Sequence, residues 1–355
     1  MKIDKIIQTL DRHKLRATYG AVGEALGVLP IAVGKRLGEK RPEASWVVSS
    51  KSGKPSGYLP NEIHPDLYTR PEIIRSGDEL RSLIVDDPAK AAPTVRERDS
   101  FRNMAHSGER LIGIDLAWKP ERNGSAIAIG TLANGRLTVD ELLPAVLGLD
   151  KVSQVIRSTE NVSGLAIDAP LILNNQTGGR PGEYALNKVY GARSAGCYLT
   201  NLDIWPDAAG VQLARSLIEE GYEHLGDPSA RRWMVECYPH PAIVEIFGLA
   251  ERLAYKAKKN RPVAEQKAGQ ASLAVMLKQL RSNNSLPLEI CPIFDYLFDE
   301  HRIHSLKGAE LKENEDALDA VLCLYIAAIY ATGKPMQCFG DKDSGYIVVP
   351  GPSGE

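Results

Sequence analysis

At 355 residues, with 43% apolar and 25% charged side chains, the chain has the make-up of a soluble globular protein of two domains, which excludes a fibrous or disordered one. No apolar run reaches the roughly 20 residues of a membrane span, and the N-terminus lacks the apolar block of a secretory signal, so no membrane partner and a cytoplasmic location are expected. The net charge of −2 hides an uneven distribution: residues 1–60 hold eleven Lys or Arg against five Asp or Glu, a net of about +6, and a basic head on an acidic body suits a polyanionic partner.

Ile3, Ile6, Ile7 and Leu10 recur at helical spacing, which predicts an amphipathic first helix. Thr18 is a cap for a second helix, TYGAVGEALG, which Gly27 stops; Pro30 suits the first turn of a third, LPIAVGKRLGEKR. Two short helices across a tight break suggest helix-turn-helix. WVVSS, the turn-former KSGK and PSGY then read as a two-stranded wing carrying Lys51 and Lys54. The expectation is a winged helix over residues 1–85, with Lys35, Arg36, Lys40 and Arg41 on or after its second helix. Pro60, Pro65, Pro71, Pro88 and Pro93 among many charges make residues 60–109 an extension of that domain followed by a linker at 86–109, in which VRERDSFRN reads as solvated surface.

Over residues 15–60, the motifs TYG, AVGKRL and WVVSSKSGKPSGY resemble the DNA-binding half of the alkylguanine-DNA alkyltransferases and their alkyltransferase-like relatives. In that family a Pro-Cys-His-Arg motif supplies the alkyl acceptor; here the matching positions are Glu43, Ala44, Ser45 and Trp46, so alkyl transfer is chemically excluded. The family's intercalating arginine is matched by Ile31. What the resemblance implies is DNA binding, with Tyr19 beside the nucleotide and the basic helix on phosphates. A protein contact is the competing use of such a fold.

The second domain, residues 110–355, opens on LIGIDLAW, where Asp115 interrupts an apolar run. A carboxylate in a buried strand is costly unless paired or metal-bound. GSAIAIGTL, the turn Asn134-Gly135 and RLTVDEL complete an antiparallel meander. A helix around KVSQVIRS follows, then the strand GLAIDAPL with Asp168 at its end, a long insertion, the strand WMVECYP, several helices, and an apolar helix, EDALDAVLCLYIAAIY, with Asp316 and Asp319 at its start. Three antiparallel strands followed by alternating helix and strand give an α/β fold, an RNase H-like mixed sheet with flanking helices. Asp316 and Asp319, three apart on a helix, share a face. Four acids so placed are expected to hold Mg²⁺ or Mn²⁺, since two ions about 4 Å apart activate the attacking water and stabilise the leaving oxygen in phosphodiester hydrolysis.

GIDLAW, IDAPL, ECYPHP, the pair Tyr255-Lys256, EDALDAV and GYIVVP, in this order, resemble a group of predicted nucleases of the RuvC/YqgF type within the ribonuclease H-like superfamily. The resemblance implies a metal-dependent nuclease acting on nucleic acid, DNA before RNA, and allows a homodimer. Glu236 is a further candidate ligand and His240 a candidate for substrate contact. Arg193 and Lys188 in the insertion, with Lys256, are candidates for guiding a nucleic-acid backbone. His301 and His304 lack ligand-spaced partners and read as surface residues. The five scattered cysteines read as reduced thiols. Two other classes compete: an inactive protein that recognises nucleic-acid structure or damage, and an actin-like or sugar-kinase-type phosphotransferase. The latter usually carries a Gly- and Thr-rich loop after the first acid, where this chain has Leu116, Ala117 and Trp118.

Overall fold

The computed structural model describes residues 3–28, 30–38, 40–59, 62–67, 72–85, 108–229, 232–258 and 260–351. The chain divides into two compact units, Met1–Ser100 and Phe101–Glu355. The expected linker, up to residue 107, and the run VRERDSFRN lie outside the described residues.

The first unit runs α1 (Ile3–His13), β1 (Arg16–Thr18), α2 (Tyr19–Leu26), α3 (Pro30–Leu37), a 3-10 turn (Pro42–Trp46), β2 (Val47–Val48), β3 (Ile73–Ile74) and α4 (Gly77–Val85). The Thr18 hydroxyl accepts the Ala21 N–H at 3.1 Å, satisfying an orphan donor of α2. Gly27 ends that helix with φ at 68°, a conformation that suits glycine. Ile6, Leu10, Val22, Val33, Trp46 and Leu80 meet in one core. Ala44, at the place of the alkyl acceptor, is fully buried in that core.

The wing differs from expectation. Val47–Val48 pairs in parallel with β1, which also pairs in parallel with β3. The chain does reverse at 49–54, where the Ser49 N–H donates to the Lys54 carbonyl at 2.9 Å, but residues 55–58 form no strand. Pro55 has no N–H to give a ladder, and Gly57 turns the chain with φ at 71°.

The second unit opens with β4 (Glu109–Asp115), β5 (Ser125–Ala133) and β6 (Arg136–Val146), then α5 (Leu149–Ser158), β7 (Val162–Asp168), α6 (Pro181–Tyr190), α7 (Ala209–Glu219), β8 (Glu223–His224) and β9 (Trp233–Glu236). It continues with α8 (Pro239–Ile246), α9 (Val263–Gln279), β10 (Leu288–Ile290), α10 (Glu300–Ser305), α11 (Ala309–Ala331), β11 (Met336–Asp341) and β12 (Gly345–Pro350). Asn134 and Gly135, with φ at 52° and 72°, make the tight turn that joins β5 to β6.

The main sheet has the order β10-β6-β5-β4-β7-β9-β8. The meander is antiparallel, while β7 joins β4, and β9 joins β7, in parallel. This is a mixed α/β sheet consistent with the RNase H-like class. Its inner strands β4, β5 and β7 are apolar over most of their length because both faces are covered. Leu111, Ala128, Val139 and Val235 face α11, while Ile112, Ile114, Ile127 and Ile167 face α5 and α7. The last long helix starts at Ala309, earlier than the expected Glu315, because its first turns are polar and largely exposed and so carry no apolar period. Asp316 and Asp319 therefore lie inside the helix, where its buried part begins.

Candidate metal centre

Asp115 and Asp168 are the last residues of neighbouring parallel strands and stand directly opposite one another in register. The third acid arrives through a close crossing. At Gly113 a Cβ would lie 2.0 Å from the Leu324 nitrogen and 2.4 Å from the Ala320 oxygen, so the backbone of α11 rests on the backbone of β4 with no side chain between them. That contact lowers Asp319 onto the strand ends. One oxygen from each of Asp115, Asp168 and Asp319 lies within 4.8 Å of the others; Asp319 is buried and the other two are half-buried.

Three carboxylates this close repel one another and have lost water. Burial is the largest cause lifting Asp115 to about 7; Lys256 opposes it and Asp316 adds to it. Burial likewise holds Asp168 well above the ordinary carboxylate range, against Lys256 and with Asp115 and Asp319. Asp319 is raised by burial, with Lys256 opposing. The Lys256 ammonium lies 2.7 Å from Asp319 Oδ2 and 3.7 Å from Asp168 Oδ2. Burial alone would lower Lys256, but Asp319, Tyr255 and the other acids raise it well above its usual value, so it stays charged. The Tyr255 hydroxyl donates to Asp319 Oδ1 at 2.6 Å. Hard oxygen donors, crowded and only partly compensated by Lys256 and Lys312, are the set a divalent cation fits.

Asp316 lies beside this triad, hydrogen-bonded to Asp115 and ion-paired with Lys312. Lys312 also donates to Glu315 Oε1 at 3.0 Å, and Glu315 Oε2 accepts from Gln266 Nε2 at 3.1 Å. The helical pair expected to act together is thus divided: Asp319 converges with the strand acids and Asp316 flanks them.

Glu236 is placed differently from the expected ligand. Arg180 Nη1 and Nη2 donate to its two oxygens at 2.8 and 2.6 Å, and the Leu171 N–H donates at 2.9 Å. Arg180 Nε donates to Glu183 at 2.9 Å, and Glu183 in turn accepts the Thr200 N–H at 2.9 Å. All three charged residues are buried. The network ties the end of β9 to the insertion that follows β7. Arg193 is also structural in setting: it donates to Glu245 at 2.7 Å and to the carbonyls of Leu249 and Ala250. Lys256 stands in the acid cluster instead of on a guiding surface, while Lys188 is exposed. His240 packs edge-on against Tyr238 and Tyr255 and is held neutral, well below the usual histidine value, by burial and then by Lys256, Arg252 and Arg261. His301 and His304 are exposed, as expected.

In the first unit, Tyr19 opens α2 and packs half-buried against the core. Lys35 and Arg36 are exposed on the last turn of α3, and Lys51 and Lys54 are exposed on the loop after β2. Lys40 donates to the Gly57 carbonyl and lies 5.9 Å from the Tyr58 ring centre; Arg41 donates to the Leu37 carbonyl at 2.9 Å.

Sequence reasoning passed over Arg180, Glu183, Thr200 and Lys312. The spacing of Lys312 before Asp316, four along a helix, was a usable signal once the helix was known to start earlier. Glu183, three residues on, is a local partner of Arg180, but nothing local points to Glu236, 56 residues away.

Asp115, Asp168 and Asp316 line a cleft of about 860 Å³, with Asp319 fully buried next to them. Arg122, Arg252, Lys258, Arg261 and Lys312 lie along its wall, with Trp118, Tyr198 and His240. An acidic floor under a basic wall can bind a polyanion and place a cation beneath it. One family model matches the chain, over residues 113–344, and is described as "Protein of unknown function (DUF429)". No curated protein and no solved structure matches.

Proposed function

The chain belongs to the DUF429 family, whose description assigns no activity, and from that premise we propose that it is a metal-dependent nuclease that hydrolyses phosphodiester bonds. The observation that carries this reading is the convergence of Asp115, Asp168 and Asp319 within 4.8 Å, the first two opening onto a cleft walled by arginine and lysine. Those three acids would hold the ion, Mg²⁺ or Mn²⁺, with Asp316 beside Asp115. When bound, a divalent ion supplies Lewis-acid charge at the phosphoryl oxygens. Lys256 offsets part of the acids' mutual repulsion and, with Tyr255, fixes the orientation of Asp319. Arg122, Arg252, Lys258 and Arg261 would bind phosphates on either side of the reacting one. His240, kept neutral at the cleft wall, would contact substrate as a hydrogen-bonding group and not as a charged one.

The first unit completes the reading as the nucleic-acid-binding element. Lys35, Arg36, Lys51 and Lys54 are exposed and free to meet phosphates, which favours DNA, by the resemblance of residues 15–60, as the partner. The test is a panel of labelled DNA, RNA, hybrid and branched substrates with Mg²⁺ and with Mn²⁺. Cleavage is expected with at least one substrate and is expected to fall to background in Asp115→Ala and Asp319→Asn. Cleavage that survives both substitutions would show that it comes from elsewhere.

A further inference from the structure

Beside the acid cluster stands a group of aromatic rings that the chemistry above does not use. Trp118, three residues beyond Asp115, is 43% exposed and lines the cleft; Tyr198, also on the cleft, is 84% exposed. Trp205 stacks on Trp118 with ring centres 4.4 Å apart at 32°. The Lys119 ammonium lies 5.9 Å from the centre of Trp205.

These rings are held in place by the backbone around them. The Ala117 N–H donates to Ser125 Oγ at 3.1 Å just before Trp118. The Trp205 N–H donates to the Asn201 carbonyl at 2.9 Å, and Asn201 Nδ2 donates to the Gly178 carbonyl at 2.7 Å. Thr200, two residues after Tyr198, is fixed to the buried Glu183. A large ring kept in water on a braced loop is poor economy for core packing and good design for a stacking contact, because little freedom is lost on binding.

We propose that Trp118, with Trp205 behind it, and Tyr198 form a stacking surface for unpaired nucleobases, so that the cleft takes single-stranded nucleic acid. The proposal deepens the nuclease reading and rests on it for the location of the reacting phosphate. A duplex hides the faces of its bases in its own stack; only an unpaired strand offers them to a tryptophan. Three residues of chain reach at most about 11 Å, so Trp118 stands within one or two nucleotides of Asp115. Lys119 adjoins Trp205 and Arg122 lines the same cleft as Trp118 and Tyr198, as an alternating pattern of base and phosphate requires. An apolar protein segment would leave those charges without partners.

The test measures binding without cleavage. In EDTA at fixed salt, a fluorescent 12-mer is titrated with protein as single-stranded DNA, single-stranded RNA and blunt duplex, for the wild type, Trp118→Ala, Trp118→Phe and Tyr198→Ala. Single strands are expected to bind about tenfold or more tightly than duplex, and each alanine variant to lose about tenfold on single strands with little change on duplex. Trp118→Phe is expected to keep most of the affinity, and bound strands to quench tryptophan fluorescence in the wild type. Tyr198 is exposed enough that its alanine variant tests the idea even if Trp118→Ala fails to fold. Equal affinity for single strands and duplex, or Tyr198→Ala and Trp118→Phe both binding as wild type with no quenching, overturns the proposal. A change in oligomeric state of the alanine variants with affinity intact also overturns it, in favour of a self-association surface. Aromatic-dependent binding without cleavage under Mg²⁺ or Mn²⁺ would sustain this inference and defeat the nuclease reading; cleavage indifferent to the rings would do the reverse.

Discussion

At the scale of single residues, the acid cluster works against folding wherever its charge is not offset. Asp115 is lifted to about 7, chiefly by burial. Below about pH 4 both the folded and the unfolded chain hold this proton and the burial costs little. As pH rises from about 4 to 7 the unfolded chain releases the proton while the folded chain keeps it, so stability falls across that window and is fully lost once the folded carboxyl ionises near 7. The metal-free wild type should therefore be less stable at pH 8 than Asp115→Asn, by an amount on the order of 2 kcal/mol, and the gap should close only below about pH 4. Mg²⁺ should raise the wild-type melting temperature at pH 8 and do little for the variant. Thermal melts across pH with and without Mg²⁺ check this; identical metal response in the two proteins would remove Asp115 from the ion's ligands. The strand acids were legible in the sequence because each interrupts an apolar run that has no other polar residue. Glu236 carries the same local signature, yet its partner is Arg180. An acid at a strand end reads alike whether it meets a cation from solution or one from the chain, and only the fold distinguishes them.

At the scale of elements, the site depends on how closely α11 lies on β4. Gly113 permits that approach, since any Cβ there would overlap the helix backbone, which cannot swing aside as a side chain can. Gly113→Ala should destabilise the second unit by roughly 2–3 kcal/mol or more. It should also weaken Mn²⁺ binding beyond what the lost stability explains, because it displaces Asp319 relative to Asp115. Denaturant melts alongside calorimetric Mn²⁺ titration separate the two effects; full Mn²⁺ affinity in a folded variant would refute the coupling. The long strands and the Asn134-Gly135 hairpin were readable from alternation and turn chemistry. The edge strands β8 and β10, of two and three residues, were not, since so short a run has no period. The parallel pairing of β2 with β1 escaped as well, because hydrophobicity marks a strand and says nothing of which partner it meets.

At the scale of the whole molecule, the proposed function gives the first unit phosphate contacts that are separate from the cleft of the second. Charge reversal at Lys35 and Arg36, both exposed, should weaken nucleic-acid binding and reduce its salt slope by about two, one per lost phosphate contact. Cleavage of saturating substrate should persist. An unchanged slope would assign the basic helix to a protein partner. The acid triad has a consequence for the protein's synthesis. Its members stand at 115, 168 and 319, and the helix that bears the last of them covers the central strand that bears the first. A growing chain can pair β4 with β5 and β7 long before α11 has left the ribosome, but it then holds two acids and an uncovered apolar sheet face. A nascent polypeptide, threaded through an RNA machine beside its own message, has no cation site until the fold is nearly finished. Chains arrested before residue 309 should accordingly fail to retain Mn²⁺ and be vulnerable to protease, while those arrested well beyond the helix should acquire both metal and resistance in one step.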